Sequence, residues 1–157
     1  TEAEEAWHKV QAAFLKDWDV ISTEPRIVVH LPSLSLTEAQ TKSTPYLNCQ
    51  QNAQMARLCD LADPNVNVLY IAPYPLERET MAYYSSLLAT AGIHNVDGRV
   101  DVMHPENYKR VGAGASLTKS VLYSPVLLKR IAGYVQGKPA YIVPGVVGPE
   151  ELTLAAK

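Results

Sequence analysis

The chain has 157 residues, of which 47% are hydrophobic and 19% are charged, and its formal net charge is −2. This length and composition are typical of one globular domain that buries roughly two thirds of the surface of its unfolded chain. The basic residues are scattered, which is not typical of a nucleic-acid-binding surface, and no apolar run approaches the length of a membrane span.

A first helix is predicted from Glu2 to about Asp19. Acidic residues open it, and an apolar stripe recurs at three- and four-residue spacing: Trp7, Val10, Phe14 and Trp18. Two tryptophans on one stripe favour a docking face, and packing inside the core is the simpler alternative. We therefore expect an N-terminal docking helix in residues 1–22 and an α/β lobe in residues 23–157.

Three apolar, β-branched runs each stop at a proline: Arg26–Pro32, Val66–Pro75 and Pro139–Gly145. A strand that is apolar almost throughout has both faces buried, which indicates a parallel sheet covered by helices. Proline cannot continue a central ladder, so each run should end there in a loop. A fourth segment, Arg99–Met103, alternates polar and apolar residues and predicts a strand nearer the sheet edge.

A segment whose apolar residues recur at helical spacing follows each of the first three strands. One predicted helix face comprises Leu47, Gln51, Met55, Leu58, Cys59 and Ala62. A second comprises Met81, Tyr84, Leu87, Leu88 and Ala91. A third, after a Ser124-Pro125 start, comprises Val126, Leu127, Ile131, Tyr134 and Val135. This alternation predicts a doubly wound, mostly parallel four-stranded α/β sheet with helices on both faces. The first strand should be central, with the second and third on one side and the fourth on the other.

In such sheets the loops after the carboxyl ends of the strands form the ligand crevice. By position, the residues expected to line it are Pro32, Ser33, Pro73, Tyr74 and Gly145. They form no catalytic arrangement, since no Ser–His–acid set and no G-x-S-x-G elbow can be assigned. The sequence therefore predicts no catalytic, cofactor-binding or metal-binding residues.

Three further features favour structural roles. The segment Gly112–Ser116 suggests a phosphate cradle, but Thr118 stands directly before Lys119 where a P-loop has glycine, so a flexible loop is favoured. No histidine pair has metal-ligand spacing, and His30 is expected to be a hydrogen-bonded structural residue. Cys49 and Cys59 are expected to be reduced thiols of a cytoplasmic protein, with Cys59 on a buried helix face.

Four segments resemble a known family: RIVVHLPSLS, QNAQMARLCDLADPNVNVLYIAPYPL, MAYYSSLL and YSPVLLKRIAGYVQGKPAYIVPG. They look like IQ-motif-containing protein H and its relatives, which are large proteins of organisms with motile cilia, associated with sperm flagella. The resemblance covers most of the chain from Arg26 onward. It implies the leading Rossmann-like, pre-ATP-grasp-like lobe of an ATP-grasp-like protein. The Thr1 start and the PEELTLAAK ending also favour a fragment of a longer chain.

This resemblance implies a non-catalytic lobe that acts as a structural or interaction platform among ciliary and axonemal proteins. The alternative is the substrate-side lobe of an active ATP-grasp carboxylate ligase, whose ATP and magnesium would bind in later lobes and not in this fragment. A third alternative is a stand-alone nucleotide or sugar-nucleotide binder. No IQ motif occurs here, so calmodulin is expected to bind only outside this chain. Neither nucleic acid nor membrane is indicated as a partner.

Overall fold

A four-stranded parallel sheet forms the centre of the computed structural model, which describes residues 1–111, 114–155 and 157, apart from the side chains of Ala3 and Glu38. The strands are β1 (Arg26–Leu31), β2 (Val66–Ile71), β3 (Val100–Met103) and β4 (Ala140–Pro144). Their order is β3-β2-β1-β4, and every pair is parallel. The predicted fold class and strand order are confirmed.

Helices occupy the connections between the strands. In the part of the chain that the structure describes they are α1 (Glu2–Lys16), α2 (Trp18–Ile21), α3 (Glu38–Ser43), α4 (Leu47–Asn52), a 3₁₀ helix (Met55–Ala62), α5 (Arg78–Thr90), α6 (Leu117–Leu122), α7 (Pro125–Val135) and α8 (Pro149–Ala155). Parallel strands need such crossovers, because a tight turn cannot return the chain to the same end of the sheet.

The two faces of the sheet carry separate cores. Alternate residues of β1 and β2 point to opposite sides, so Val29 and Leu69 share one face while Val28 and Val68 share the other. The first face packs against α6 and α7, with Leu117 and Leu127 buried. The second face packs against the 3₁₀ helix and α5.

The single helix predicted from Leu47 to Ala62 is wrong. The chain forms α4, leaves helical geometry at Ala53 and Gln54, and continues as a 3₁₀ helix. A 3₁₀ helix has three residues per turn, so the residues facing the sheet recur every third position: Met55, Leu58 and Leu61. Cys59 and Ala62, predicted at α-helical spacing, are exposed for this reason, although both cysteines are free as expected.

Three other burial predictions need correction. The continuous apolar run of β4 predicted two buried faces, but β4 is an edge strand and Ile142 is 48% exposed. Leu87 and Ala91 of the α5 region are exposed, since Met81, Tyr84 and Leu88 make the contact with the sheet. Val126 is also exposed, and Leu128 packs against the core in its place.

The N-terminal helix packs near the β4 edge. It contacts α8, and the Phe14 ring lies edge-on to Tyr141 with ring centroids 5.3 Å apart. The Trp18 ring is tilted by 48° relative to the Phe14 ring, with the centroids 5.2 Å apart, and Trp18 is 45% exposed. A helix beside an edge strand shields it from unwanted strand pairing. In the described residues, no helix combines the length and apolar character that crossing a membrane requires.

Candidate functional site

The carboxyl end of β1 lies beside the carboxyl end of β4. Leu31 pairs with Pro144, and the Val146 N–H donates to the Ser33 carbonyl oxygen at 3.0 Å. Gly145 approaches so closely that a Cβ there would overlap the backbone of Ser33. The sequence therefore has glycine at this position because the two backbones meet.

The start of α6 is seated on this strand end. The Ser33 Oγ accepts a hydrogen bond from the Thr118 N–H at 3.0 Å. The Gln51 Oε1 accepts from the Leu117 N–H at 2.7 Å and also from the Leu34 N–H at 3.0 Å. Gln51 and Ser33 are fully buried. The free N–H groups that begin a helix, which would otherwise attract an anion, are thus satisfied by the protein itself.

Two carboxylates from α8 lie next to this strand end. Glu151 is only 5% exposed, and it accepts hydrogen bonds from the Ser35 hydroxyl and from the Gly148 N–H, the latter at 2.8 Å. Glu150 accepts from the Ser116 hydroxyl. Ser116 is also the N-cap of α6, so its side chain links α6 to α8. We call Ser33, Ser35, Gln51, Ser116, Thr118, Glu150 and Glu151 the strand-end network.

The predicted crevice residues fall into two groups. Pro32, Ser33 and Gly145 lie together at the ends of β1 and β4, and the Pro32 carbonyl accepts from Gln54 at 3.0 Å. Pro73 and Tyr74 follow β2, where the Tyr74 hydroxyl lies 3.5 Å from the Asn52 Nδ2. Burial raises the pKa of Tyr74, with a smaller contribution from Cys49. Whether any of them contacts a ligand stays a prediction.

His30 is buried on β1 between an acid and a base. Its Nε2 lies 2.8 Å from the Asp60 Oδ2, and its Nδ1 lies 3.4 Å from the Arg57 guanidinium. A guanidinium can only donate, so Nδ1 is the acceptor and the ring proton is on Nε2, which donates to Asp60. Desolvation lowers the pKa of His30, and Asp60 opposes this effect. The neutral ring is the form that this geometry fits, which confirms His30 as a hydrogen-bonded structural residue.

Arg57 ties the 3₁₀ helix to the end of β4. Its guanidinium donates to the Val143 carbonyl at 3.2 Å and to the Pro144 carbonyl at 3.3 Å. It also donates to the Gln54 side chain at 2.9 Å. Arg57 and Gln54 therefore act as a half-buried brace beside the strand-end network, where a planar fork of donors suits several carbonyl acceptors.

The chemistry of the site is dominated by groups that satisfy one another. Within residues 1–111, 114–155 and 157, no three His, Cys, Asp or Glu side chains are grouped to hold a metal ion. The Thr118 hydroxyl is buried and lacks a partner in that same part of the chain. In the glycine segment, Gly112 and Ala113 lie outside the described residues, and Ser116 caps a short helix that the sequence did not predict.

Sequence reasoning missed most of the strand-end network. The predicted apolar helix stripe includes Gln51, and no role is predicted from the sequence for Glu150 or Glu151. A signal existed for Gln51, because a glutamine on an otherwise apolar stripe must find buried partners. The serines and Thr118 carry no such signal, since these residue types are common in any loop.

The fold and this site define a doubly wound α/β domain whose strand-end region is closed by its own side chains. The chain is 32% identical, over 162 aligned residues, to the IQ motif-containing protein H of Danio rerio. The alignment covers 96% of this chain and 15% of that protein. No protein-family model matches the chain, and no solved structure matches it either. The predicted resemblance to IQ-motif-containing protein H is confirmed.

Proposed function

We propose that this chain is a non-catalytic α/β lobe that serves as a structural or interaction platform in a ciliary or axonemal assembly. The observation that carries the proposal is the strand-end network. Doubly wound folds bind their ligands at this end of the sheet. Here the backbone N–H groups of Leu117 and Thr118 at the start of α6 are engaged within the protein, and Gln51 bridges the backbones of Leu34 and Leu117.

The buried hydrogen bonds at this end of the sheet also disfavour a ligand there. A small ligand at the end of β1 would have to displace buried hydrogen bonds made by Ser33 and Gln51. Leaving a buried donor unpaired costs about 1–3 kcal/mol, so each displaced bond must be replaced by the ligand. The network therefore favours a rigid joint between β1, α4 and α6 over an open pocket.

The expected partners are other axonemal proteins, and the expected location is the cytoplasm of the motile cilium or flagellum. Both expectations come from the similarity to IQ-motif-containing protein H, of which this chain covers 15%. That relative is named for an IQ motif, and this chain has none, so calmodulin is expected to bind elsewhere.

The first experiment expresses the chain with a fluorescent tag in multiciliated cells. We expect the signal to lie along the axoneme and to resist detergent extraction, and a tag-only protein provides the control. A diffuse cytoplasmic signal that detergent removes would contradict the proposed role.

The second experiment tests small ligands. Purified chain is heated with ATP, GTP or nucleotide sugars at up to millimolar concentration, and the melting temperature is followed. We expect no shift. ATP that bound the folded chain in the micromolar range would raise its melting temperature. Such binding would overturn a purely architectural role.

The rival function is the substrate-side lobe of an ATP-grasp carboxylate ligase. Its support is the doubly wound parallel sheet, and a fold alone does not carry an activity. ATP and magnesium would bind to later lobes of the full-length protein. Formation of ADP by the full-length protein in the presence of magnesium and a panel of carboxylates and amines would favour this rival over the platform.

A further inference from the structure

A second polar site lies on the face of the sheet that carries the 3₁₀ helix. It is a surface pocket of about 290 Å³ between the 3₁₀ helix and strands β1 and β4. Its floor includes Tyr141, and its walls include Arg26, Cys59, Asp60 and Asp63. This volume lies at the lower end of the roughly 300–1,000 Å³ range of small-molecule pockets, and a single side chain fits within it.

The charges in this pocket leave a net negative lining. Arg26 is neutralised by Asp63, whose Oδ2 accepts from the guanidinium at 2.7 Å. Asp60 is the second carboxylate, and its side chain is 49% exposed. His30 occupies the Asp60 Oδ2, and no donor from the described chain is bonded to the other oxygen. One carboxylate is therefore available to a cation that enters from solvent.

The guanidinium on the pocket wall is held by the protein itself. The Arg26 side chain is 9% exposed. Its two terminal nitrogens are engaged by Asp63 and by the Glu24 carbonyl. Burial disfavours the charged form, but hydrogen bonding to Tyr141 and Asp63 outweighs it and raises the pKa of Arg26. Asp60 is therefore the charged group of this lining that remains open to a ligand.

An aromatic surface continues from the pocket floor. The Phe14 ring contacts Tyr141, and Trp18 contacts Phe14, so three rings form a row that ends in the half-exposed indole. Aromatic faces attract cations and also accept apolar side chains. A ligand that carries a cation and an apolar neighbour would match both the open carboxylate and the aromatic row.

We propose that this pocket binds a lysine or arginine side chain from a basic segment of a partner protein. The cation pairs with Asp60, and an apolar neighbour in the segment lies on Phe14 and Trp18. The proposal rests on the proposed function, because it names the chemistry of one partner surface of the platform.

The test uses two acetylated and amidated tripeptides, Leu-Arg-Leu and its neutral counterpart with citrulline in place of arginine. Each is titrated into the ¹⁵N-labelled chain, and backbone amide shifts are followed by NMR. We expect the arginine peptide to bind in the millimolar range or tighter and to shift the amides of residues 59–63 and Tyr141. The citrulline peptide should bind at least about tenfold more weakly.

Three variants separate the pocket from general electrostatics. Asp60→Asn keeps an acceptor for His30 but removes the charge, and it should weaken arginine-peptide binding at least about fivefold. Asp97→Asn removes an exposed carboxylate that does not line the pocket, so binding should be unchanged. Ala62→Arg places a guanidinium in the pocket without removing a native polar contact, and it should abolish binding.

Equal binding of the two peptides, or equal effects of Asp60→Asn and Asp97→Asn, would overturn the proposal. So would shifts confined to other surfaces, or unchanged binding by the folded Ala62→Arg protein. If the chain localises to the axoneme but binds neither peptide, the proposed role of the pocket is wrong and the proposed platform function is retained. If the chain binds the arginine peptide but its localisation in cells is diffuse, the proposed platform function is wrong instead.

Discussion

Replacing Gln51 by leucine should be among the most destabilising single changes in this domain. Leucine has a similar volume and retains the packing of the buried site. It cannot accept the hydrogen bonds that Gln51 now takes from Leu34 at 3.0 Å and from Leu117 at 2.7 Å. Two backbone N–H groups from distant parts of the chain would lose their acceptor.

The size of the effect follows from the burial of those groups. The Leu117 N–H bond is fully buried, and its loss should cost about 1–3 kcal/mol. The Leu34 N–H is partly buried, and its loss should cost about 1 kcal/mol. A total of roughly 2–4 kcal/mol is a large fraction of the 5–15 kcal/mol that typically stabilises a domain.

The assay is urea unfolding followed by circular dichroism, and the chain provides a matched control one residue away. Gln50 is exposed, and its side chain donates one hydrogen bond to the Pro45 carbonyl at 3.0 Å. Gln50→Leu should lower the free energy of unfolding by less than about 1 kcal/mol. If Gln51→Leu were no more destabilising than Gln50→Leu, the strand-end network would not hold α4 and α6 together as described.

Three further predictions address other parts of the same region. Thr118→Val should raise the free energy of unfolding by about 1 kcal/mol in urea titrations, because it removes a buried hydroxyl that lacks a partner in the described chain. Gly145→Ala should destabilise by about 1–3 kcal/mol through overlap with the Ser33 backbone, whereas Gly133→Ala, in open space on α7, should stabilise by about 0.5–1 kcal/mol in the same assay. The lowered pKa of His30 means that the unfolded chain binds its proton more tightly, so the contribution of this residue to stability is complete above pH 6.5 and decreases as pH falls toward the folded-state pKa. NMR titration of the His30 ring and urea midpoints of the His30→Gln variant measure this effect.

Each of these predictions has an outcome that contradicts it. A less stable Thr118→Val protein would mean that the hydroxyl has a partner. Equal changes in the free energy of unfolding for Gly145→Ala and Gly133→Ala would show that the backbones of Gly145 and Ser33 do not approach closely. A stability profile between pH 5 and 7 that His30→Gln leaves unaltered would show that the neutral, buried ring is not the form that supports the fold.

The sheet could be read from the sequence because its signals are local. Runs of β-branched residues that stop at proline identify β1, β2 and β4, and the alternation through Asp101 and Val102 identifies β3 as the wetter edge strand. Long crossovers between parallel strands then restrict the order to a few arrangements, and the observed order is the simplest of them. His30 was also interpreted correctly, since a histidine in an apolar strand needs a hydrogen-bond partner.

Other features could not be read, because they depend on which segments meet in space. The exposure of Cys59 depends on the type of helix, because a 3₁₀ helix repeats every three residues and turns Leu61 inward in place of Cys59. The crevice was placed at the ends of the strands by the general rule for such folds. That Gln51 and Thr118 close it was not visible, because they are separated by 67 positions in the sequence.

The sequence alone determined the α/β class, the parallel sheet and the positions where the strands end. These features follow from hydrophobic periodicity and from proline, and both signals involve only residues that are close together in the chain. Only the tertiary structure decided how the strand ends are closed and which carboxylates remain open to solvent. Those properties arise from contacts between distant segments, as when Ser33 meets Thr118 and Arg26 meets Asp63. Hydrogen bonds and ion pairs of this kind need ångström-scale placement, and a one-dimensional pattern does not encode it.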